Sequence, residues 1–195
     1  MSNPILQIII ASTRPVRVGP AVAAWMQQRA IAHGGFDVEL IDLAEVNLPM
    51  MDEPKHPKLH QYVHQHTKDW SATIERADAF IFVVPEYNYG FNAPIKNAID
   101  YLNAELQHKA VGFVSYGGVA AGTRAVQMLK QVVTTLKMVP VFDSVNIPFV
   151  QQFLDSEQRL APNEIMESAA TAMLDELARW TPALQSLRDP ARLPG

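Results

Sequence analysis

Three short stretches of this chain concentrate side chains able to bind an anion and a flat ring. The first, Ser12-Thr13-Arg14-Pro15-Val16-Arg17-Val18-Gly19, follows an apolar run and leads into a helical pattern opened by Pro20. It sets two hydroxyls and two guanidinium groups beside a helix start, where unpaired N–H groups and a partial positive charge accumulate. Arginine grips phosphate through paired donors, and a phosphomonoester carries close to two negative charges, so Arg14 and Arg17 together match one terminal phosphate. The stretch lacks Gly-x-Gly-x-x-Gly, which favours a mononucleotide phosphate over a dinucleotide pyrophosphate, and it lacks the Gly-Lys-Ser/Thr ending.

The second stretch, Pro85-Glu86-Tyr87-Asn88-Tyr89-Gly90, places two tyrosines and an asparagine just past a buried run. A flat amphipathic ring needs such a lining: aromatic or apolar walls, with amides for its heteroatom edge. Gly90 is free to adopt unusual backbone angles, and Asn97 and Asp100 read as caps or braces. The third, Ser115-Tyr116-Gly117-Gly118, precedes Gly122-Thr123-Arg124. Adjacent glycines at a strand end let backbone N–H groups approach a carbonyl or ring nitrogen. Each stretch also has a plain reading: a solvated loop with a threonine cap, aromatics covering a sheet end, an ordinary glycine turn. Their force comes from where the fold brings them.

Four apolar runs read as strands buried on both faces: Ile5–Ala11, Val38–Leu43, Ala79–Val84 and Ala110–Ser115. A fifth, Met138–Phe142, contains Pro140, which lacks a ladder donor and so points to a sheet edge. Between the runs the period becomes helical. Pro20 opens a helix carrying Val22, Trp25 and Met26, and Gly34-Gly35 stop it. Val63, Thr67, Trp70, Ile74 and Ala77 form one stripe, Ile95, Ile99 and Leu102 another, and Val126, Leu129, Val133 and Leu136 a third. The last helix carries Met166, Ala169, Met173, Leu177 and Trp180 as core and is expected to end at Pro182. A loosely ordered tail with Pro190 and Pro194 then follows. This alternation predicts an α/β fold, read as one domain over residues 1–195. Its five-stranded parallel sheet is doubly wound in the order 2-1-3-4-5, with helices on both faces. Ligands of such sheets bind beyond the carboxyl ends of the strands, beside the switch point between strands 1 and 3, where the three stretches meet.

The 195 residues carry 16 Lys+Arg and 20 Asp+Glu, a net charge of −4. That balance speaks against nucleic acid or an anionic membrane as partner. No cysteine is present, which excludes disulfides, thiolate metal sites and cysteine nucleophiles. Met1–Gln7 shows no leader pattern and no apolar run reaches membrane-spanning length, so a cytoplasmic protein is expected. His56, His60, His64 and His66 read as a solvated helix face and not a metal site, because zinc needs three or four converging ligands. Asp37, Glu39 and Asp42 are expected to face solvent or brace loops. The segment from Pro49 to Pro54, with Met50 and Met51, either overhangs the ligand cavity or plugs the edge of the core.

The motifs Ser-Thr-Arg-x-x-Arg-x-Gly at 12–19, Pro-Glu-Tyr-Asn-Tyr-Gly with Pro-Ile-Lys-Asn-Ala-Ile-Asp-Tyr-Leu at 85–102, and Ser-Tyr-Gly-Gly at 115–118 resemble the NADPH-dependent FMN reductase family in order and spacing. Relatives in that family are described as quinone, azo dye or chromate reductases. The resemblance runs from Ile5 to Val141, with Ala11 where many relatives have glycine. It implies a flavodoxin-like fold with bound FMN. Ser12, Arg14, Arg17 and the backbone at Val18 and Gly19 would hold the phosphate. Pro85, Glu86, Tyr87 and Asn88, with Tyr89 beside them, would border the isoalloxazine, and Ser115, Tyr116, Gly117 and Gly118 would reach its ribityl or pyrimidine side.

The same resemblance implies hydride transfer from NADPH or NADH through FMN to a flavin, quinone, azo dye or metal oxyanion. No residue is assigned as acid or base, since the flavin carries that chemistry. A homodimer or homotetramer is implied, with the helices at 91–104 and 120–136 as contact surfaces. Two other readings stay open. A flavodoxin-type electron carrier is disfavoured by the two arginines and the mild acidity, and a flavin-binding sensor by the lack of an extra interaction domain.

Overall fold

A computed structural model describes residues 3–188. In chain order the elements are β1 (Ile5–Ile10), α1 (Gly19–His33), β2 (Asp37–Asp42), α2 (Leu43–Val46), α3 (Gln65–Glu75) and β3 (Ala79–Pro85). Then come α4 (Ala93–Asp100), β4 (Ala110–Gly117), α5 (Thr123–Thr135), β5 (Val139–Pro148) and α6 (Glu164–Arg188). All five strands pair in parallel in the order β2-β1-β3-β4-β5, the doubly wound sheet expected from the alternation of elements.

The central strands are almost continuously apolar because helices cover both faces. Successive side chains leave a strand on opposite sides, so one strand feeds two cores. Leu6, Ile8, Ile10, Ile81, Val83 and Val114 pack beneath α1 and α6. Ile9, Phe80, Phe82, Val84 and Phe113 pack beneath α3, α4 and α5.

Several expectations need correction. β2 is an edge strand with no fully buried residue, and is not covered on both faces. β5 is the other edge, as Pro140 requires, but it continues to Pro148 through a bulge. Val111 stands opposite Pro140 and Phe113 opposite Ser144, which throws Phe142 out to 85% exposure. α6 does not stop at Pro182. Leu184 is buried beyond it, and Arg188 pairs with Asp78 at 2.8 Å, so packing outweighs the one lost backbone bond. Trp180 is exposed and contributes no core. Pro190 and Pro194 lie outside the described residues.

The stretch between α2 and α3 forms a strap laid over α4. Asn97 receives the Met51 N–H at 2.9 Å and donates to the Pro49 carbonyl at 2.7 Å, and Tyr101 donates to Asp52 at 2.9 Å. Met50 and Met51 therefore ride on α4, and Met50 lines a 340 Å³ cavity together with Thr13 of the β1 loop and Asn97. The histidines are not a helix face either, because α3 begins only at Gln65 and Val63 is exposed ahead of it. His66 contacts Asp52 at 3.0 Å and His60 contacts Glu105 at 3.3 Å. Glu105 is buried and also accepts from Tyr62 at 2.7 Å, Ser71 at 2.6 Å and the Asn103 N–H at 3.1 Å. Among the described residues no helix is long and apolar enough to cross a membrane.

Two predictions follow from this packing. Burial alone would raise the Glu105 carboxyl, but its hydrogen bonds from Ser71, Tyr62 and Asn103 outweigh burial and hold it below the ordinary glutamate range. A depressed folded-state pKa contributes stability that is present at neutral pH and lost as pH falls through and below that range. Urea unfolding between pH 7 and 3 should show this acid loss, and Glu105→Gln should flatten it. Gly122 has φ +82°, and a Cβ there would lie 2.7 Å from Ser115 Cβ and 2.8 Å from Tyr116 N. Gly122→Ala should cost about 1–3 kcal/mol in the same assay.

Candidate active site

At the carboxyl end of the sheet the loops after β1, β3 and β4 enclose a cavity of 430 Å³. Arg14, Val16, Arg17 and Val18 form one wall, Pro85, Glu86 and Tyr87 a second, and Tyr116 and Gly117 a third. Val150 and Gln151, which follow β5, close the fourth side and carried no signal in the sequence. A larger apolar groove of 740 Å³ runs between α4 and α5, but it draws no side chain from the β1 or β4 loops.

The β1 loop differs from the picture of two free guanidinium groups. Arg17 is committed to the protein: its two terminal nitrogens bond both oxygens of Asp42 at 2.7 and 2.6 Å, and Nη1 also donates to the Ser12 carbonyl at 2.7 Å. Asp42 caps α2 as well, accepting from the Ala44 N–H at 2.9 Å. The pair thus ties the loop to the end of β2. Arg14 is exposed and forms no ion pair or hydrogen bond with a described residue; its guanidinium stands 5.8 Å from the Tyr87 ring centre. The N–H groups of Thr13, Arg14, Val16 and Val18 have no partner among the described residues either. A cluster of unmet donors before a helix start is the usual form of an anion cradle.

Ser12 is buried and accepts a hydrogen bond from the Tyr116 hydroxyl at 3.1 Å. Burial pushes the Tyr116 hydroxyl up to about 12, so it stays protonated and donates at neutral pH. Gly19 permits this contact. A Cβ on it would sit 2.4 Å from Ser12 Oγ and 3.0 Å from the Tyr116 oxygen. Val18 precedes α1 at its N-cap position without a side-chain cap.

The β3 loop is a tight hairpin-like turn. Tyr87 and Gly90 exchange both backbone bonds at 2.9 Å, and Asn88 and Tyr89 between them have φ of 49° and 70°. Two left-handed non-glycine residues in sequence define a type I′ geometry and carry strain. Both residues are exposed at the rim and lie outside the cavity wall. Glu86 points inward and is held by Arg124, whose Nε donates at 2.6 Å and whose Nη2 closes the same ion pair. Sequence reasoning quoted Arg124 but gave it no role; only the fold shows that the first turn of α5 reaches Glu86.

Ser115 is buried and directed away from the cavity, with its hydroxyl spent on the Ala121 carbonyl at 2.8 Å and Asn146 at 2.9 Å. It braces the β4 loop from behind. Gly118 is exposed, with open space where a side chain would be. Asn92, buried at the N-cap of α4, donates to the Ala11 carbonyl at 2.5 Å and leaves its own oxygen without a partner. That bond joins the β3 loop to the β1 loop.

The sheet order and the placement of this cavity define the class: an α/β protein of the flavodoxin-like, doubly wound type. The NADPH-dependent FMN reductase family model matches residues 5–152. An NAD(P)H-dependent FMN reductase of Schizosaccharomyces pombe is 39% identical over 150 residues, 75% of this chain and 74% of that protein. An NAD(P)H:quinone oxidoreductase of Solanum tuberosum is 33% identical over 101 residues, 50% of each chain. Among solved structures, the flavoenzyme NAD(P)H:(acceptor) oxidoreductase of Paracoccus denitrificans superposes with a TM-score of 0.72 at 19% identity, over 92% of this chain and 98% of that one, a likeness of fold. The chain belongs to the NADPH-dependent FMN reductase family.

The tie between Arg17 and Asp42 is mostly buried, with side chains 16% and 13% exposed. Asp42→Ala should lower unfolding free energy by about 1.5–3 kcal/mol, the range for hydrogen bonds to charged groups. Chemical denaturation checks the value.

Proposed function

We propose that the cavity at the mouth of the sheet holds FMN, with its phosphate in the β1 loop, and that the chain uses it to reduce quinones or free flavins at the expense of NAD(P)H. The observation that carries this reading is the set of unmet donors after β1: the backbone N–H groups of Arg14, Val16 and Val18 and the unpaired Arg14 guanidinium, on a cavity walled by Tyr87 and Tyr116. Those donors suit a dianionic phosphomonoester, and the aromatic walls suit a flat ring. The residues present therefore fit FMN. The names of the family and of its relatives in yeast and potato supply the donor and the acceptor class.

Bound FMN supplies the hydride chemistry. The protein's part is to bind, orient and shield. Arg14 and the loop N–H groups neutralise the phosphate. Arg17 does so at one remove, since Asp42 already balances its charge and its role is to hold the loop open. Tyr87 and Pro85 border the ring, and the backbone at Gly117 and Gly118 offers donors to its polar edge. Ser12 and Ser115 hold the shape of the loops and leave ligand contact to the backbone around them.

The same reading includes a homodimer acting in the cytoplasm. The apolar groove between α4 and α5, walled by Phe91, Ile99, Leu102, Met128, Val132 and Leu136, supports a second copy as its occupant.

Two measurements test the proposal. Arg14→Ala should weaken FMN binding by about 1.5–3 kcal/mol, read by quenching of flavin fluorescence, with the unfolding free energy unchanged. Anaerobic NADPH should bleach the FMN-loaded protein in one two-electron step. A protein that retains FMN but is not reduced by NADPH or NADH is an electron carrier, and the oxidoreductase reading then fails.

A further inference from the structure

The mouth of the sheet carries a third guanidinium that the FMN site does not use. Arg124 lies in the first turn of α5, a helix with no acidic residue in that turn and a left-handed glycine, Gly122, at its N-cap. Its Nε and Nη2 face Glu86, whose other carboxylate oxygen accepts the Arg124 backbone N–H at 3.2 Å. The guanidinium carbon sits 3.6 Å from the centre of the Tyr89 ring, and the Tyr89 residue is 69% exposed. Tyr89 is held there by the strained turn, where it and Asn88 both adopt left-handed backbone. An exposed aromatic plane stacked on a half-exposed cation, beside Glu86 in the cavity wall, is a recognition surface for a molecule that joins a flat base to a phosphate.

We infer that Arg124 and Tyr89 bind the phosphorylated adenosine end of the nicotinamide donor, Arg124 through a phosphate and Tyr89 through the open face of its ring. The inference rests on the FMN reading above. The placement of the guanidinium groups at the mouth favours it: Arg17 is matched by Asp42 and mostly buried, Arg14 serves the FMN phosphate, and Arg124, though paired with Glu86, keeps its side chain 38% exposed at this rim. A dinucleotide brings at least two further negative charges to a chain whose net charge is already −4, so its approach requires a local cation. Glu86 keeps the Arg124 side chain aimed at the rim and raises its affinity for the proton further, so the cation is permanent. Arg124 is thus a donor-binding residue, with no part in the transfer itself.

The test uses the FMN-loaded protein and redox-inert probes. NADP⁺, NAD⁺ and 2′,5′-ADP are titrated calorimetrically into the wild type, Arg124→Gln, Tyr89→Ser, and the double variant Arg124→Gln/Glu86→Gln, which leaves no unpaired carboxylate if the single variant folds poorly. Loss of Arg124 should weaken NADP⁺ by about tenfold or more, the effect of one charge-assisted hydrogen bond. It should reduce the salt dependence of binding, and Tyr89→Ser, at a residue outside the cavity wall, should weaken NADP⁺ while leaving FMN affinity within about twofold. KM for NADPH should rise with kcat held. Weakening of NADP⁺ and 2′,5′-ADP with NAD⁺ unaffected assigns the contact to the 2′-phosphate; equal weakening of NADP⁺ and NAD⁺ assigns it to the pyrophosphate. Unchanged NADP⁺ affinity in both Arg124 variants, with FMN retained, overturns the inference. Failure of the wild type to hold FMN overturns instead the reading on which it rests.

Discussion

The architecture of the mouth depends on one ion pair turned back on the chain. Arg17, in a loop whose composition suggests a ligand for anions, spends its guanidinium on Asp42 and on the carbonyl of Ser12. A bidentate arginine–carboxylate bond fixes both distance and plane. It therefore fixes the path of residues 12–17 between β1 and α1. With that path set, the N–H groups of Thr13, Arg14, Val16 and Val18 are left without partners among the described residues. The charge that looked like a ligand contact is the clamp that makes the backbone available.

Two more bonds make the three loops one body. Tyr116 on β4 reaches Ser12 behind the β1 loop, across space that only a glycine at position 19 leaves free. Asn92, at the start of α4, reaches the Ala11 carbonyl. Both contacts are buried, where a broken bond leaves an unpaired polar group and costs more than it would at the surface. A cavity so supported keeps its shape before any ligand enters, which lowers the ordering cost of binding. By contrast, the rim residues Asn88 and Tyr89 stand outward on a turn whose backbone strain is held by the Tyr87–Gly90 pair, with Arg124 of α5 beside them.

Much of this was legible in the residue pattern, and for physical reasons. Apolar runs without alternation identified β1, β3 and β4 as strands covered on both faces, though not the edge strand β2, and Pro140 marked an edge, because these depend on local composition and on one missing N–H. Sheet order and the convergence of three loops followed from topology. What was not legible depends on partners distant in sequence. The local stretch Ser12–Gly19 holds no sign that Arg17 belongs to Asp42, 25 residues away. Likewise Ser115 looks like a ligand group until Asn146 and the Ala121 carbonyl are seen to take its hydroxyl. The histidines between 56 and 66 looked like a solvated face because their carboxylate partners, Asp52 and Glu105, lie on either side of the helix they were assigned to. Pro182 read as a helix end, yet the burial of Leu184 and the Arg188–Asp78 pair carry α6 past it.

The central claim is that the loop after β1 is a phosphate cradle. Comparing the affinity of the apoprotein for FMN and for riboflavin tests it most directly, since the two ligands differ only by the phosphoryl group. Two or more charge-assisted bonds at the β1 loop predict that FMN binds at least about 100-fold tighter, with the difference shrinking as salt is raised. Equal affinity for the two ligands would contradict it, because the free N–H groups and Arg14 would then be facing solvent to no purpose.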